Sequence, residues 1–325
     1  MQQRTLLEAI NEALRLEMAS DDRVILLGED IGREGGVFRV TEGLQALYGR
    51  ERVMDAPIAE SGIVGMAAGM AIAELRPVAE IQFMGFLYPA IDQIINHVGR
   101  MRNRSRGRFT CPLVIRVPYG GGIHPPEHHS ESTEAMLVHM PGIQVVVPST
   151  PYDAKGLLIS AIRSPDPVIF LEPKRIYRAV RQDIPEPLYT VPIGQARVVQ
   201  EGTDVTLIGW GSMMQEVNKA AAQLGAEGIQ AEVIDLRTLS PLDTAAIIAS
   251  VQKTGRAVVV HEAARTCGLG AEIMAQINEQ ALLSLEAPVE RVTGFDTVFP
   301  LPQLEKYYLP TVAAVLDAAR RALAF

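Results

Sequence analysis

The sequence predicts an α/β protein built from two doubly wound domains with mostly parallel sheets. Short β-branched runs alternate with longer helical patterns, and several of these runs are apolar at consecutive positions. Strands that are apolar on both faces are typical of parallel sheets covered by helices on both sides. The length of 325 residues is enough for about two domains of this kind.

Eight short apolar runs are predicted strands, at residues 23–28, 78–83, 113–117, 144–147, 168–171, 205–208, 231–234 and 257–260. The longer segments between them have helical spacing, at residues 5–19, 63–75, 89–104, 152–162, 216–224 and 241–251. Repeated strand–helix–strand units of this kind favour parallel pairing. A proline-containing stretch of mixed charge at 176–192 is predicted as a linker, which leaves domains at 1–175 and 193–325.

The composition excludes several classes of protein. A net charge of −8 and a pI near 5.4 argue against binding to a nucleic-acid backbone. The apolar stretches are much shorter than the ~20 residues that a membrane-spanning helix needs, and the first residues do not resemble a signal peptide. The two cysteines, Cys111 and Cys267, are too few for a disulfide framework. We expect a cytoplasmic protein that binds neither nucleic acid nor membrane.

Glu60 is the first candidate site residue, because it stands where a proline-containing loop enters a helix of small residues. Gly65 and Gly69 in that helix each cost ~1 kcal/mol relative to alanine, so close contact with another backbone or a flat ligand is expected. From the residues alone, Glu60 is better explained as a carboxylate that complements the helix dipole.

A glycine- and histidine-rich loop, YGGGIHPPEHHS at 119–130, follows the predicted strand at 113–117. It should lie at the carboxyl end of the sheet, where α/β proteins bind ligands. Its potential metal ligands are His124, Glu127, His128 and His129. Their spacing matches no zinc-enzyme pattern, and a glycine-rich loop with solvent-facing histidines is the simpler explanation.

The segment after the strand at 78–83 ends in Gln82 and the aromatic residues Phe83 and Phe86, which would suit the edge of a pocket for a flat heterocycle. Taken alone, it is better explained as hydrophobic core. The sequence has no phosphate loop, no nucleophile elbow and no Gly-Asp-Gly motif followed by asparagine. It therefore shows no anchor of its own for a diphosphate.

In order along the chain, these segments resemble the beta subunit of the thiamine-diphosphate-dependent decarboxylating component of 2-oxo acid dehydrogenase complexes. The matching segments are residues 28–30, 35–38, 57–65, 82–83, 129–130, 148–156, 166–172, 235–238 and 253–256. The resemblance implies a transketolase-type pyrimidine-binding domain at 1–175 and a transketolase C-terminal domain at 193–325.

The resemblance also implies roles for individual residues. Glu60 would hydrogen-bond a ring nitrogen of the cofactor's aminopyrimidine, which then removes a proton from the thiazolium carbon. Phe86 would pack on the pyrimidine ring, with Ile58 and Gln82 lining the same pocket. His129 would manage protons while the acyl group passes to lipoamide.

In this family a separate alpha subunit carries the diphosphate motif and Mg²⁺, and two alpha and two beta chains assemble with the cofactor between them. The implied partners also include the dihydrolipoyl acyltransferase core and its lipoyl domain. The basic peripheral domain of that core would dock near Glu286 and Phe325. Some members bind K⁺ through backbone oxygens. The matching positions are Leu113, Ala161, Ile162, Ser164 and Asp166, and Ser164 replaces a commonly acidic residue.

The implied reaction is oxidative decarboxylation of a 2-oxo acid with lipoamide as the acceptor, active only with the alpha subunit. Residues 82–86 resemble pyruvate-type members, whereas 172–175 and 291–294 resemble branched-chain members that act on acids such as 3-methyl-2-oxobutanoate. Pyruvate is favoured over the branched-chain alternative. Three other classes of protein remain as alternatives. One is a non-catalytic stabilising subunit, and another is a metal hydrolase that uses the histidines. The third, a self-contained transketolase or deoxyxylulose-phosphate synthase, is disfavoured by the missing diphosphate motif.

Overall fold

The computed structural model describes every residue from Met1 to Phe325, and the chain divides into two compact units. The first unit contains Met1–Tyr119 and Met136–Ile193, and the second contains Gly120–Ala135 and Gly194–Phe325. The short segment Gly120–Ala135 therefore belongs to the second unit although it interrupts the first one in sequence. None of the helices has the length and apolar composition needed to cross a lipid bilayer.

The first unit contains eight strands and most of the first seven helices. Its strands are β1 (Gln2–Thr5), β2 (Val24–Gly28), β3 (Val53–Asp55), β4 (Arg76–Glu80), β5 (Val114–Tyr119), β6 (Gln144–Val146), β7 (Val168–Pro173) and β8 (Arg181–Ile184). The helices are α1 (Leu6–Ser20), α2 (Leu44–Tyr48), α3 (Glu60–Ile72), α4 (Ile91–Gln93), α5 (Met101–Arg104), α6 (Glu134–Val138) and α7 (Pro151–Arg163). A 3₁₀ helix at Met84–Ala90 and a π-helical turn at Ile94–Val98 flank α4.

Six of these strands form a parallel sheet in the order β6–β7–β5–β4–β2–β3. β2, β5 and β7 are buried along their whole length, as expected for strands with a helix layer on each face. Helix α1 begins with a capping box in which Thr5 and Glu8 each accept from the other's backbone N–H. Its apolar face packs together with that of α7 in one core.

β8 lies inside the stretch that the sequence predicts as a linker, and it pairs antiparallel with β1. Ile176, Tyr177 and Ile184 of this stretch are buried in the core of the first unit. The structure thus differs from the linker prediction at 176–192. Residues 176–192 have mixed charge and prolines and show no strand pattern, yet they contain the edge strand β8. This strand forms because it pairs with β1 at the start of the chain.

The second unit has strands β9 (Arg197–Gln200), β10 (Val205–Gly209), β11 (Ala231–Asp235), β12 (Thr238–Ser240), β13 (Ala257–Val260) and β14 (Glu290–Val292). Its helices are α8 (Met214–Ala226), α9 (Thr244–Thr254), α10 (Leu269–Ala281), α11 (Glu305–Tyr308) and α12 (Val312–Ala324). Five strands form a sheet in the order β14–β13–β10–β11–β9, in which only β9 runs antiparallel to its neighbour. The predicted α/β class with mostly parallel sheets is confirmed.

Gly142, in the turn before β6, has a left-handed backbone with φ of +88°, and a β-carbon there would collide with the backbone oxygen of Gly99. Gly43, at the start of α2, has a similar φ of +79° but open space around it. We expect Gly43→Ala to cost about 1 kcal/mol of unfolding free energy from backbone strain alone. Gly142→Ala should cost about 3 kcal/mol because the collision adds to the strain. Urea unfolding of both variants checks this, and equal losses would contradict the assigned collision.

Candidate active site

The carboxyl ends of three neighbouring strands, β3, β2 and β4, lie along one edge of the first sheet. Glu29 follows β2, Glu60 begins the helix that follows β3, and Gln82 follows β4. In open α/β sheets this edge is where ligands bind. The sequence prediction that Glu60 and Gln82 belong to one site is therefore consistent with the strand order.

The loop after β2 is held firmly beneath this edge. Asp55, the last residue of β3, accepts the backbone N–H of Gly32 at 2.6 Å and that of Arg33 at 3.3 Å. The hydroxyl of Thr41 donates to the carbonyl of Ile31 at 2.6 Å. The Asp55 bonds tie the loop to β3, and the Thr41 bond closes the loop on itself, so the loop has a defined shape.

Helix α3 begins at Glu60, whose side chain is half-buried. The first turn of α3 contacts the 3₁₀ helix Met84–Ala90. The hydroxyl of Ser61 donates to the carbonyl of Pro89, which links the start of α3 to the 3₁₀ helix that carries Phe86. The ring of Phe86 is half-buried and meets Phe83 edge-on, with the ring centroids 5.5 Å apart. Glu60 and Phe86 are therefore carried by two elements in direct contact.

The surface around this contact is unusually apolar. Ile58 is 77% exposed and Met66 is 41% exposed, and Gly62 and Gly69 of α3 also face outward. A helix that is apolar on all sides is normally buried. The exposed face of α3 and its neighbours therefore has the character of a surface that another chain or a ligand covers.

The charges at this edge influence one another. Burial raises the pKa of Glu29, and the negative charges of Asp30 and Glu60 raise it further. Glu29 therefore retains a proton more readily than an isolated glutamate does. Glu60 lies close enough to Glu29 to act on it through its charge.

A buried ionic network connects β4, β5 and β7. It was not predicted from the sequence. Arg116 donates through Nη1 to Glu80 at 2.6 Å and through Nε to Glu172 at 2.6 Å. Tyr177 donates its hydroxyl to the second oxygen of Glu172. All four residues are nearly inaccessible to solvent. Burial raises the pKa of Glu80 while the Arg116 charge opposes that rise, so the network depends on its single cation.

The glycine-rich loop of the second unit is held by two buried carboxylates. Glu262 accepts the N–H of Gly121 at 2.9 Å and the hydroxyl of Ser212 at 2.7 Å. Glu305 accepts the backbone N–H groups of Gly122 and His124, and Nδ1 of His124 lies 2.6 Å from it. Neither carboxylate was predicted from the sequence. Glu262 lies two residues after β13, and its position just beyond a buried strand is the signal that could have found it.

His129 lies at the end of the short 3₁₀ helix Glu127–His129 and is half-buried, whereas His128 is exposed. Ile58, Glu60, Gln82 and Phe86 belong to the first unit, and His129 belongs to the second. The histidines of this loop do not form a metal-binding cluster, since no group of three or more His, Cys, Asp or Glu in the chain is arranged to hold a metal ion.

The backbone oxygens predicted to bind potassium all accept hydrogen bonds within the first unit. The oxygen of Leu113 accepts from the N–H of Val168 at 2.9 Å, and that of Ala161 accepts from the N–H of Ser164 at 3.2 Å. The oxygen of Asp166 accepts from the hydroxyl of Ser164 at 2.9 Å. The oxygens of Ile162 and Ser164 accept from the Arg76 guanidinium, at 2.7 and 3.4 Å. A potassium ion would therefore share two of the five oxygens with the positive charge of Arg76. The potassium site stays a prediction.

Glu134 is a fully buried carboxyl group in the second unit, where burial raises its pKa from 4.5 to about 7 and the charge of Glu262 adds to the rise. Because the folded chain binds this proton more tightly than the unfolded chain, the fold loses stability as the pH rises from about 4.5 to 7. We expect Glu134→Gln to be roughly 3 kcal/mol more stable than the parent at pH 8, with the difference shrinking toward zero below pH 5.

Urea unfolding of both chains at several pH values measures this difference. Glu131→Gln, three residues earlier and half-exposed, is the matched control, because it makes the same change in charge without removing a buried carboxyl group. A stability difference that is constant from pH 5 to pH 8 would show that Glu134 does not titrate in this range.

Comparison with known proteins identifies the two units. A family model described as the transketolase pyrimidine binding domain matches residues 2–180, and one described as the transketolase C-terminal domain matches residues 194–315. The chain is 54% identical over 325 residues to the pyruvate dehydrogenase E1 component subunit beta of Bacillus subtilis (strain 168), covering 100% of both. It is 56% identical over 306 residues to the subunit of the same name from Acholeplasma laidlawii, covering 94% of each.

Among solved structures, the chain is similar to a split gene transketolase described as an inactive beta4 tetramer. The TM-score is 0.81 at 26% sequence identity, and the match covers 98% of both chains. The similarity thus extends over both units and the segments that carry the candidate residues.

Proposed function

This chain belongs to the family of pyruvate dehydrogenase E1 component beta subunits, and from that membership we propose that it is the beta half of a pyruvate-decarboxylating enzyme. In this proposal it uses thiamine diphosphate and passes the acyl group to lipoamide. The observation that carries the proposal is the half-buried Glu60 at the carboxyl edge of the sheet, beside the exposed apolar surface of Ile58 and Met66.

The residues of this edge fit the pyrimidine end of the cofactor. Glu60 offers a carboxylate at the rim, Phe86 offers a half-buried aromatic ring, and Gln82 offers a half-buried amide. A flat, partly polar heterocycle needs this combination of stacking and hydrogen bonding. When bound, thiamine diphosphate would supply the electron sink for loss of carbon dioxide.

The chain's own part in the reaction is to orient the ring and to control protons. Glu60 would hold a proton against a ring nitrogen of the cofactor. Phe86 would fix the plane of the ring, and Ile58 would exclude water from one side of it. His129, on the loop held by Glu262 and Glu305, would manage the proton during acyl transfer.

Activity would require an alpha subunit that supplies Mg²⁺ and the diphosphate site. The sequence has no Gly-Asp-Gly motif for that purpose, and the exposed face of α3 has the character of a covered surface. The similar split gene transketolase is described as inactive in its beta4 form, which supports the expectation that this chain is inactive alone. A heterotetramer of two alpha and two beta chains in the cytoplasm follows from the same proposal.

The acyltransferase core would dock on the second unit near Glu286 and Phe325. Phe325 is 82% exposed, and the carboxylate of Glu286 is exposed while it pairs with Arg256 at 2.7 Å. An exposed carboxylate and an exposed apolar side chain in the second unit suit a basic partner domain. Undiminished binding of the core to a chain that lacks its last residues would contradict this docking position.

Replacing His129 with asparagine should separate the two halves of the reaction in the assembled enzyme. We expect decarboxylation measured with ferricyanide as the electron acceptor to fall by less than about threefold, because Glu60 is unchanged. Acyl transfer to lipoamide should fall by about a hundredfold, since general acid–base groups contribute on this order. His128→Asn, at the adjacent exposed position, is the control. Equal losses in both assays would rule out a role confined to acyl transfer.

The proposal as a whole is tested by co-expressing this chain with an alpha subunit and assaying 2-oxo acid decarboxylation with thiamine diphosphate and magnesium. Pyruvate and 3-methyl-2-oxobutanoate are compared by kcat/KM, and pyruvate is expected to be preferred. Activity from this chain alone would contradict the shared site. A well-formed but inactive complex would instead favour a stabilising subunit without a catalytic role.

A further inference from the structure

A cavity of about 530 Å³ lies in the first unit at the amino ends of β5, β6 and β7. This is the end of the sheet opposite to the edge that carries Glu60. Cys111, Ile143 and Pro167, which come shortly before these strands, contribute to its lining together with residues from the segment 98–107. Pockets that bind small molecules commonly have volumes of about 300–1,000 Å³, so this cavity has room for a small organic molecule.

Part of the cavity lining is apolar and closely packed. Gly99 and Gly142 both line the cavity, and a β-carbon on Gly142 would collide with the carbonyl oxygen of Gly99. The neighbouring side chains of Val98 and Ile143 are buried. Burial also raises the pKa of the Cys111 thiol to about 11, so this group is uncharged at neutral pH. This part of the lining therefore suits the uncharged portion of a ligand.

The polar groups that line the cavity are mainly hydrogen-bond donors. Arg102 donates Nε to Asp166 at 2.6 Å, and its Nη groups have no partner in the chain. The guanidinium of Arg106 and the side-chain amide of Asn103 are also without a partner in the chain. The amide oxygen of Gln144 accepts a serine hydroxyl at 3.0 Å, which leaves its NH₂ group available. Because Asp166 is the only carboxylate in the lining, the cavity favours a ligand that accepts hydrogen bonds.

The charge around the cavity is strongly positive, although the whole chain has a net charge of −8. Residues 100–108 contain five arginines and no acidic residue. All five arginines are exposed, and Asp166 is the only carboxylate that forms an ion pair with this segment. A surface with an excess of one charge attracts small ions of the opposite charge. The expected ligand is therefore an anion.

Arg106 occupies a backbone position at which glycine is usual. The N–H of Gly107 donates to the carbonyl of Arg102 at 2.8 Å, and the N–H of Arg106 donates to that of Asn103 at 3.1 Å. In this pattern of helix ending, the residue with the left-handed backbone is most often glycine. Arg106 has a φ of +54°, which costs about 1 kcal/mol for a residue with a side chain. The turn itself does not need an arginine, so a role of its side chain in the cavity explains why this residue is present.

We propose that this cavity binds an organic phosphate, a small molecule with one phosphate group on an uncharged body. The phosphate accepts from the guanidinium groups of Arg102 and Arg106, whose planar forks match the geometry of phosphate oxygens. The uncharged body lies against the apolar part of the lining that contains Val98 and Ile143. Of the residues that line the cavity, only Asp166 belongs to a site described above, the predicted potassium site. The proposal therefore does not depend on the proposed decarboxylase function.

The test is calorimetric titration of the full chain, at constant ionic strength, with adenosine monophosphate, ribose 5-phosphate, adenosine and inorganic phosphate. We expect saturable binding of the two organic phosphates at one site. Inorganic phosphate lacks the body and adenosine lacks the charge, so each should bind about tenfold more weakly than adenosine monophosphate. Saturable binding of neither organic phosphate would overturn the proposal. Equal affinity for adenosine monophosphate and either inorganic phosphate or adenosine would also overturn it.

Replacing Arg106 with glycine separates binding from folding. Glycine adopts the left-handed backbone without strain, so Arg106→Gly should unfold at urea concentrations close to those of the parent. Its affinity for adenosine monophosphate should fall about tenfold, because one charged donor is lost. Arg104→Gln is the matched control, since Arg104 is exposed in the same segment but does not line the cavity, and it should bind within about twofold of the parent. Unchanged affinity of Arg106→Gly, or an equal loss in Arg104→Gln, would contradict the assigned phosphate contact.

Discussion

Replacing Glu60 with glutamine should abolish most of the decarboxylase activity of the assembled enzyme while its fold and assembly remain intact. Glutamine keeps the size of the side chain and can still form a hydrogen bond, but it cannot hold an exchangeable acidic proton against the ring nitrogen. A positioned acid–base group contributes about 10²- to 10⁴-fold to a rate, so we expect a loss of kcat in that range with little change in KM for pyruvate.

The matched control is Glu51→Gln, an exposed glutamate in the turn before β3, which makes the same change in charge. It should leave kcat within about twofold of the parent. Gel filtration and circular dichroism check that both variants assemble and fold. Near-normal turnover of Glu60→Gln would exclude a proton-holding role and leave the helix-dipole explanation for this residue.

Replacing Arg116 with methionine should have the largest effect on stability. Arg116 is the single cation between Glu80 and Glu172, and all three side chains are buried. Methionine fills a similar volume but leaves two buried carboxylates facing each other, so we expect a loss of about 3–5 kcal/mol. Urea unfolding of the parent and the variant measures it.

Arg102→Met provides the comparison for this network. Arg102 pairs with Asp166 at 2.6 Å, but both side chains are substantially exposed, so the loss should be at most about 1 kcal/mol. A double variant, Arg116→Met with Glu172→Gln, should recover part of the stability because only one buried carboxylate remains unpaired. Similar losses for Arg116→Met and Arg102→Met would show that solvent reaches the network.

The regular part of the fold was predictable because each buried strand is apolar along its own length. β2, β5 and β13 show this pattern locally, and no distant residue is needed to recognise them. β1 and β8 could not be found in the same way. Their sequences, QQRT and RQDI, are polar edge strands whose existence depends on pairing across more than 170 residues of chain.

The candidate site shows the same division between local and distant information. Glu60 stands out because strand, loop and small-residue helix are consecutive in the sequence. The buried network around Arg116 joins three strands, and nothing close to any one of these residues indicates the other two. Arg106 and Gln144 are likewise distant in the chain, and only the fold brings them to one cavity.

The assignment of Gly120–Ala135 to the second unit has a consequence for synthesis on the ribosome. This segment emerges early, but the carboxylates that hold its backbone, Glu262 and Glu305, are translated 141 and 183 residues after their glycine partners. Until then the loop lacks these two anchors. A nascent chain that stalls near Ile193 would contain the whole first unit and a loop without Glu262 and Glu305, a form that quality-control proteases should recognise by cleavage within 120–135.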